Sequence, residues 1–401
     1  MVPGSRLPRH LHYTFLVTDS RSTTDPATEP PPNPTQESVW NKISEGREIG
    51  ELWSQVRADA RETYGFYGRD IDWEHVNRLS KWHRPFFIAK EMFVAMLMKL
   101  SPARRVLLIV ALVLLFLSGF QFHYGDKVSV DIRFDFLAAL IFLLLLALEL
   151  ADKVTMKRDL EIAREIQTWL LPAEPPRIQG AEVAFATRPQ NSVAGDYYDA
   201  FYPSPNGDAP GKLSLVIADV AGKSVPAALL MATFQASVHT IVREGTSIED
   251  AILRLNRYAC AHSLEGRRFT TAVLGEFDPA TRRFTYVNAG HNAPVLRRKD
   301  GTIEQLESGG VPLGIVPDAQ YETGSVELGS GDVLIFFTDG VVDATNERGE
   351  QFGDTRWREA VRNLPEANAE EDLRFLMRRV DAFVQQTRQF DDITYLILRC
   401  A

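Results

Sequence analysis

Cysteine is nearly missing from this sequence, which has only 2 in 401 residues. Cys260 and Cys400 cannot build a disulfide framework, have no metal-ligand spacing, and start no CxxxxxR nucleophile motif. A reducing compartment is the simple expectation for the region that carries them. Positive charge is not in excess either. The formal net charge is −9, so the basic stripe of a nucleic-acid-binding surface is not expected. The N-terminus is not expected to act as a secretory leader, because the early run LHYTFLV is broken by polar residues and precedes no small-residue cleavage site. What remains is an ordinary globular composition, 45% hydrophobic and 24% charged, whose apolar residues are unevenly spread.

That unevenness divides the chain. Residues 1–36 read as a polar, proline-rich disordered tail, and 37–103 as a mostly helical cytosolic region of unassigned role. Two apolar runs follow, VLLIVALVLLFLSGF and FDFLAALIFLLLLALEL, within residues 104–150. Each approaches the roughly 20 residues needed to cross a bilayer, which predicts transmembrane helices over about 104–121 and 134–151 joined by a short loop. Lys99, Arg104 and Arg105 precede the pair, and Lys153, Lys157 and Arg158 follow it, while the loop holds only Lys127 and Arg133. This bias predicts a multi-pass protein of the inner (cytoplasmic) membrane with both flanks in the cytoplasm. A linker helix is expected over 152–172. Its Ile162, Ile166, Trp169 and Leu170 form one apolar stripe, and Pro172 ends it. The stripe suits either packing on the chain's own domain or pairing with a second copy in a homodimer.

From about residue 180 to 401 the pattern changes to short strands and helices. Asp219 ends the apolar run of LSLVIADVAG, Asp339 ends that of DVLIFFTDG, and Asp391 and Asp392 open FDDITYLILR. Asp196 follows Gly195 in SVAGDYYDAF, with Asp199 three residues on. Short carboxylates at rigid strand ends beside glycine suit a hard divalent metal, Mn²⁺ or Mg²⁺, bound entirely through oxygen. Each motif alone is more often a turn than a ligand, since Asp and Gly are turn residues. Their joint occurrence favours the metal.

The order GDYYD, IADVAGKSVPAALLMA, FTTAVLGEFD, YVNAGHNAP, GGVPLGI, FFTDGVVDATNERGEQFG and FDDITYLIL resembles the SpoIIE/RsbU-like branch of the bacterial PPM protein phosphatases. The segment LEIAREIQTWLLP is similar to the helix that leads into such domains, so the resemblance covers about residues 158–401. It implies an α+β fold, the PPM-type α-β-β-α sandwich of two central antiparallel sheets flanked by helices. It also implies two divalent ions. Asp219 would bridge them, the Val220 carbonyl would add a ligand, Asp339 and Asp391 would complete one shell, and Asp196 would hold the other ion. Asp219 and Asp339 would then be catalytic through metal-activated water.

Asp392, Asp199 and Asp343 rank behind these, as turn, supporting or solvated residues. His291 is either a general acid or a satisfied turn histidine. Ala221 stands where larger relatives of the family place a histidine, and Ser224 where nearer ones often have glycine. The implied activity is hydrolysis of phosphoserine or phosphothreonine, with a phosphorylated anti-anti-sigma-like (STAS) protein as partner in a switching circuit. Two rivals stay open: a catalytically silent scaffold, and a two-metal hydrolase of another phosphoester class.

Overall fold

A computed structural model describes Val76, Ser80 and residues 82–401, apart from 119–121, 125–127, 131–133, 204–210, 264–267 and 308. The expected tail and most of the region 37–103 lie outside the described residues. The chain divides into two compact units, Met1–Leu145 and Leu146–Ala401.

In the first unit, helix α1 (Arg84–Lys99) is followed by α2 (Pro102–Leu117). Pro102 at the first turn of α2 loses no hydrogen bond there. The corner is tied by Arg105, whose guanidinium donates to the carbonyls of Leu97, Met98 and Leu100 at the end of α1. A two-stranded hairpin, β1 (Phe122–Tyr124) with β2 (Val128–Val130), fills the expected loop. Helix α3 (Asp135–Leu170) then runs 36 residues without a break.

Two expectations change here. The second apolar segment and the linker are one helix, because nothing between Leu150 and Leu171 is a proline or glycine that would end it. The first segment is helical over only 16 residues, about 24 Å of rise against a hydrocarbon core of about 30 Å. Among the described residues, one helix is long and apolar enough to cross a membrane by length and composition, Ser224–Arg243. It belongs to the core of the second unit.

That unit holds two five-stranded sheets, in which every pairing is antiparallel. The strands are β3 (Ala181–Arg188), β4 (Asp196–Phe201), β5 (Leu213–Val220), β6 (Thr270–Asp278), β7 (Arg283–Ala289), β8 (Val295–Arg297), β9 (Ile303–Gln305), β10 (Thr323–Glu327), β11 (Val333–Phe337) and β12 (Ile393–Cys400). One sheet has the order β10-β7-β6-β5-β4 and the other β3-β12-β11-β8-β9. Helices α4 (Ser224–Arg243) and α5 (Ile248–Ala261) cover the first sheet, while α6 (Gly353–Arg362) and α7 (Ala369–Val384) cover the second. The layering is α-β-β-α.

Strand β5 shows why its sequence reads as an unbroken apolar run. Leu213, Leu215 and Ile217 point between the sheets, meeting Phe284, Leu334, Phe336 and Leu396. Val216, Ala218 and Val220 point the other way, onto Met231 and Phe234 of α4 and Ile252 and Leu255 of α5. Both faces are buried, so the period-2 pattern has no polar half. On the second sheet Ile335, Phe337, Tyr395 and Ile397 pack on Trp357, Leu373, Leu376 and Val380 in the same way. Ser247 caps α5 by accepting the Asp250 N–H at 3.2 Å, and Asn368 caps α7 through Glu371 at 2.9 Å.

Candidate metal centre

Strand periodicity decides which acidic side chains can meet. Asp196 opens β4 and is paired across the ladder with Asp219 near the end of β5, so both lie on the face turned toward the second sheet. From that sheet come Asp339, which starts a 3₁₀ turn immediately after Thr338 and β11, and Asp391 and Asp392, which precede β12. The contact between sheets is direct. Thr338 Oγ1 donates to Asp196 Oδ2 at 2.9 Å, and Thr394 Oγ1 donates to the same oxygen.

The four principal aspartates therefore share one edge of the sandwich. Asp196 is only 3% exposed, and its carboxyl is pushed well above the ordinary carboxylate range by burial first and the charges of Asp219 and Asp392 second. Asp219 is raised to about 7, by burial and then by Asp339, Asp391 and Asp392, with Lys223 opposing. Asp339 is raised as well, by burial and then by Asp391 and Asp343. These groups hold negative charge against one another in a partly dry setting, which is the condition a bound cation relieves.

The remaining candidates separate from this group for visible reasons. Asp199 is an odd number of residues from Asp196 on the same strand, so it faces the helix layer. There it accepts hydrogen bonds from Tyr197 (2.9 Å), the Ala200 N–H (2.8 Å) and, at 2.7 Å, pairs with His239 of α4. Asp343 accepts from Gln351 at 3.0 Å. Asp392 is close to the cluster, but both its oxygens are engaged by backbone: Gln190 N–H on one and Gly195 N–H on the other, each at 2.7 Å. It pins the loop that delivers Asp196. His291 is buried, with Nδ1 2.8 Å from Thr271 Oγ1 and its backbone bracketed by Asn288. Burial lowers its pKa to about 4, so it is neutral at pH 7.

Three neighbours of the site carry no signal of their own in the sequence. Thr338 and Thr394 lie one and two residues from aspartates of the TDG and DDIT motifs, and that adjacency is the only clue they offer. Gln167 of α3 is 7% exposed, and its side-chain amide both donates to the Ala194 carbonyl (2.8 Å) and accepts the Ala194 N–H (2.9 Å). It thereby grips the backbone two residues before Asp196. The apolar stripe, for which packing and pairing both stood open, is turned mostly outward: Ile162 and Ile166 are exposed, Trp169 is 75% exposed, and Leu170 is half-buried.

The donor set fits a hard divalent ion, being all oxygen and rich in carboxylate. The Val220 carbonyl also faces the site: a Cβ at Gly195 would lie 3.1 Å from that oxygen and 3.6 Å from Asp219 Oδ1. Among the described residues no group of three or more His, Cys, Asp or Glu side chains is already drawn in to ligating geometry. The carboxylates are instead held by protein donors, Asp196 by two threonines and Asp391 by Lys223 at 3.0 Å.

A family model described as Stage II sporulation protein E (SpoIIE) matches residues 209–401. Those residues form a SpoIIE-type domain. Protein IcfG of Synechocystis sp. is 29% identical over 279 residues, which are 63% of this chain and 43% of that protein. Phosphoserine phosphatase RsbU of Bacillus subtilis is 29% identical over 195 residues, 48% of this chain and 56% of RsbU. The chain thus spans about half the length of the curated relatives it matches. The SiaA-PP2C domain of Pseudomonas aeruginosa superposes with a TM-score of 0.53 at 23% identity, covering 63% of this chain and 99% of that one. That likeness is one of fold alone, and it agrees with the two-sheet architecture described above.

Proposed function

We propose that the SpoIIE-type domain is a metal-dependent protein serine/threonine phosphatase. The observation that carries this reading is the convergence of Asp196, Asp219, Asp339 and Asp391 at one edge of paired sheets, with Asp219 pushed up to about 7. The names of RsbU and RsbP, both phosphoserine phosphatases, support the reaction class. Two divalent ions, Mn²⁺ or Mg²⁺, bound there would neutralise a phosphoryl oxygen and lower the pKa of a water.

The chain's own residues do the positioning. Thr338 and Thr394 fix Asp196, Asp392 fixes the loop before it, and the Asp219–Asp196 ladder pair sets the spacing of the two carboxylates. Neither histidine position offers an acid at this edge: position 221 is Ala, and His291 is buried, neutral and bonded to Thr271. On this reading water protonates the leaving alkoxide. Asp219→Asn and Asp339→Asn are the test. Loss of Mn²⁺-dependent turnover of a phosphoserine peptide with an unchanged circular dichroism spectrum is expected, and near-wild-type activity of both variants overturns the proposal.

Substrate, anchoring and assembly have separate supports. A phosphorylated STAS-type protein is the proposed substrate, supported by the seven-motif resemblance. Membrane anchoring through residues 104–151 is supported by the basic flanks and by apolar side chains left exposed on α2 and α3, among them Val106, Phe116, Phe136 and Leu143. Extraction of the full chain by alkaline carbonate without detergent would overturn the anchoring. Pairing of two copies through Ile162, Ile166 and Trp169 is supported by their exposure.

A further inference from the structure

The loop that joins β5 to α4 carries a lysine across the mouth of the acidic site. Lys223 Nζ lies 3.0 Å from Asp391 Oδ2 and 2.6 Å from the Phe390 carbonyl, so it bonds the segment that leads into β12 of the opposite sheet. The other Asp391 oxygen accepts the Asp392 N–H at 3.0 Å. The ammonium also acts at a distance on Asp219 and Asp339, favouring the charged form of each. One cation thus faces three of the four principal carboxylates.

The backbone that presents it is held in an unusual shape. Gly222 has φ +125° and Ser224 φ +63°, so Lys223 sits between two residues in the left-handed half of the map. Serine has no glycine-like freedom there, and the conformation persists because neighbours impose it. Arg268 Nη1 donates to the Ala221 carbonyl at 3.0 Å and covers Gly222, where a Cβ would collide with the guanidinium. The Ala221 N–H donates to the Phe269 carbonyl at 2.9 Å. The loop is therefore braced on one side next to β6 and tied on the other, by the Lys223 ammonium, to the segment before β12.

We propose that Lys223 is a built-in cation that competes with a divalent metal ion for Asp391. The inference rests on the metal-site reading above. An ammonium and a divalent ion cannot share one carboxylate without mutual repulsion, so metal entry requires Lys223 to release Asp391. The ion pair is half open to solvent, so the competition is moderate.

The test is binding of Mn²⁺ to the full-length protein in detergent, read from the loss of the free-ion electron paramagnetic resonance signal. Lys223→Met is expected to tighten Mn²⁺ binding by roughly three- to tenfold, on the scale of a partly exposed ion pair and a nearby like charge. Lys223→Arg keeps the charge and is expected to keep the wild-type affinity. Unchanged or weaker binding by Lys223→Met overturns the inference while leaving the metal site standing, as does equal tightening by both variants. Absence of Mn²⁺ binding by the wild type and by Lys223→Met overturns the metal-site reading itself, and this inference with it.

Discussion

Asp196 lies in the deep wall of the acidic site, 3% exposed and gripped by two threonines, whereas the Asp391 side chain stands on the lip, 41% exposed and bonded to a lysine. The wall is held by neutral donors that can stay in place whatever ion arrives. The lip is held by a charge that must leave. The same residue type is thus fixed on one side of the site and adjustable on the other. Asp219 sits between them and feels both.

The largest expected effect removes that shared member. Asp219→Asn should lower turnover by at least about a hundredfold, the scale on which a pre-organised charge contributes to such chemistry. A loss under tenfold would mean that wall and lip work without their common carboxylate. Next comes pH. The folded-state pKa of Asp219 is raised to about 7, far above its unfolded value, so the folded state binds the proton more tightly. With metal chelated, stability should be greatest near pH 4 and fall as pH rises toward 7. Thermal melts in chelator should show this decline, and Asp219→Asn should flatten it. A decline of the same size in that variant would place the effect elsewhere.

Smaller effects separate wall from lip. Thr338→Val removes one donor from Asp196 and leaves the Thr394 N–H without its acceptor. It should weaken Mn²⁺ binding about tenfold, from a hydrogen bond to a charged group worth about 1.5–3 kcal/mol. Titration of the variant decides whether the wall needs both threonines. Gln167→Leu should cost about 1–2 kcal/mol of stability, through the two lost bonds to Ala194. It should also weaken metal binding more than Ile166→Ala, which touches the exposed face of the same helix. The smallest effect belongs to His291→Gln, expected to change kcat by less than about threefold and to leave the pH profile in place. A large loss with a shifted profile would restore histidine as the acid.

Much of this site is legible in the linear pattern of residues. An apolar run followed by Asp and Gly marks a strand end at Asp219 and Asp339, and a pair of aspartates opening an apolar run marks a strand start at Asp391. Partners across the sheets are harder to read. Nothing in the linear pattern says that Thr338 and Thr394 share one oxygen of Asp196, since sheet packing brings them together over distant stretches of chain. Lys223 is hidden for the opposite reason: it lies inside the strongest motif, where a cation next to a loop glycine reads as a solvated residue. The linker stripe is legible as a stripe, but its direction is not. Periodicity shows that Ile162, Ile166 and Trp169 share a face, while the buried contact is made by Gln167, whose amide satisfies the backbone of Ala194. The expected break between the apolar segment and the linker is absent, because polarity changes along α3 without any residue that stops a helix.

Gly340 gives the site a different kind of constraint. A Cβ there would strike the Asp392 carbonyl, since the turn after β11 and the segment before β12 press against each other at that point. A saturation scan scored on growth would therefore mark position 340 as intolerant as any ligand, although glycine has no donor atom to offer from its side chain. The scan would be recording the fit of two turns. Substitution at Gly340 should fail in protease resistance as well as in function, whereas Asp339→Asn should fail in function alone, and that pair of readouts tells a seam from a centre.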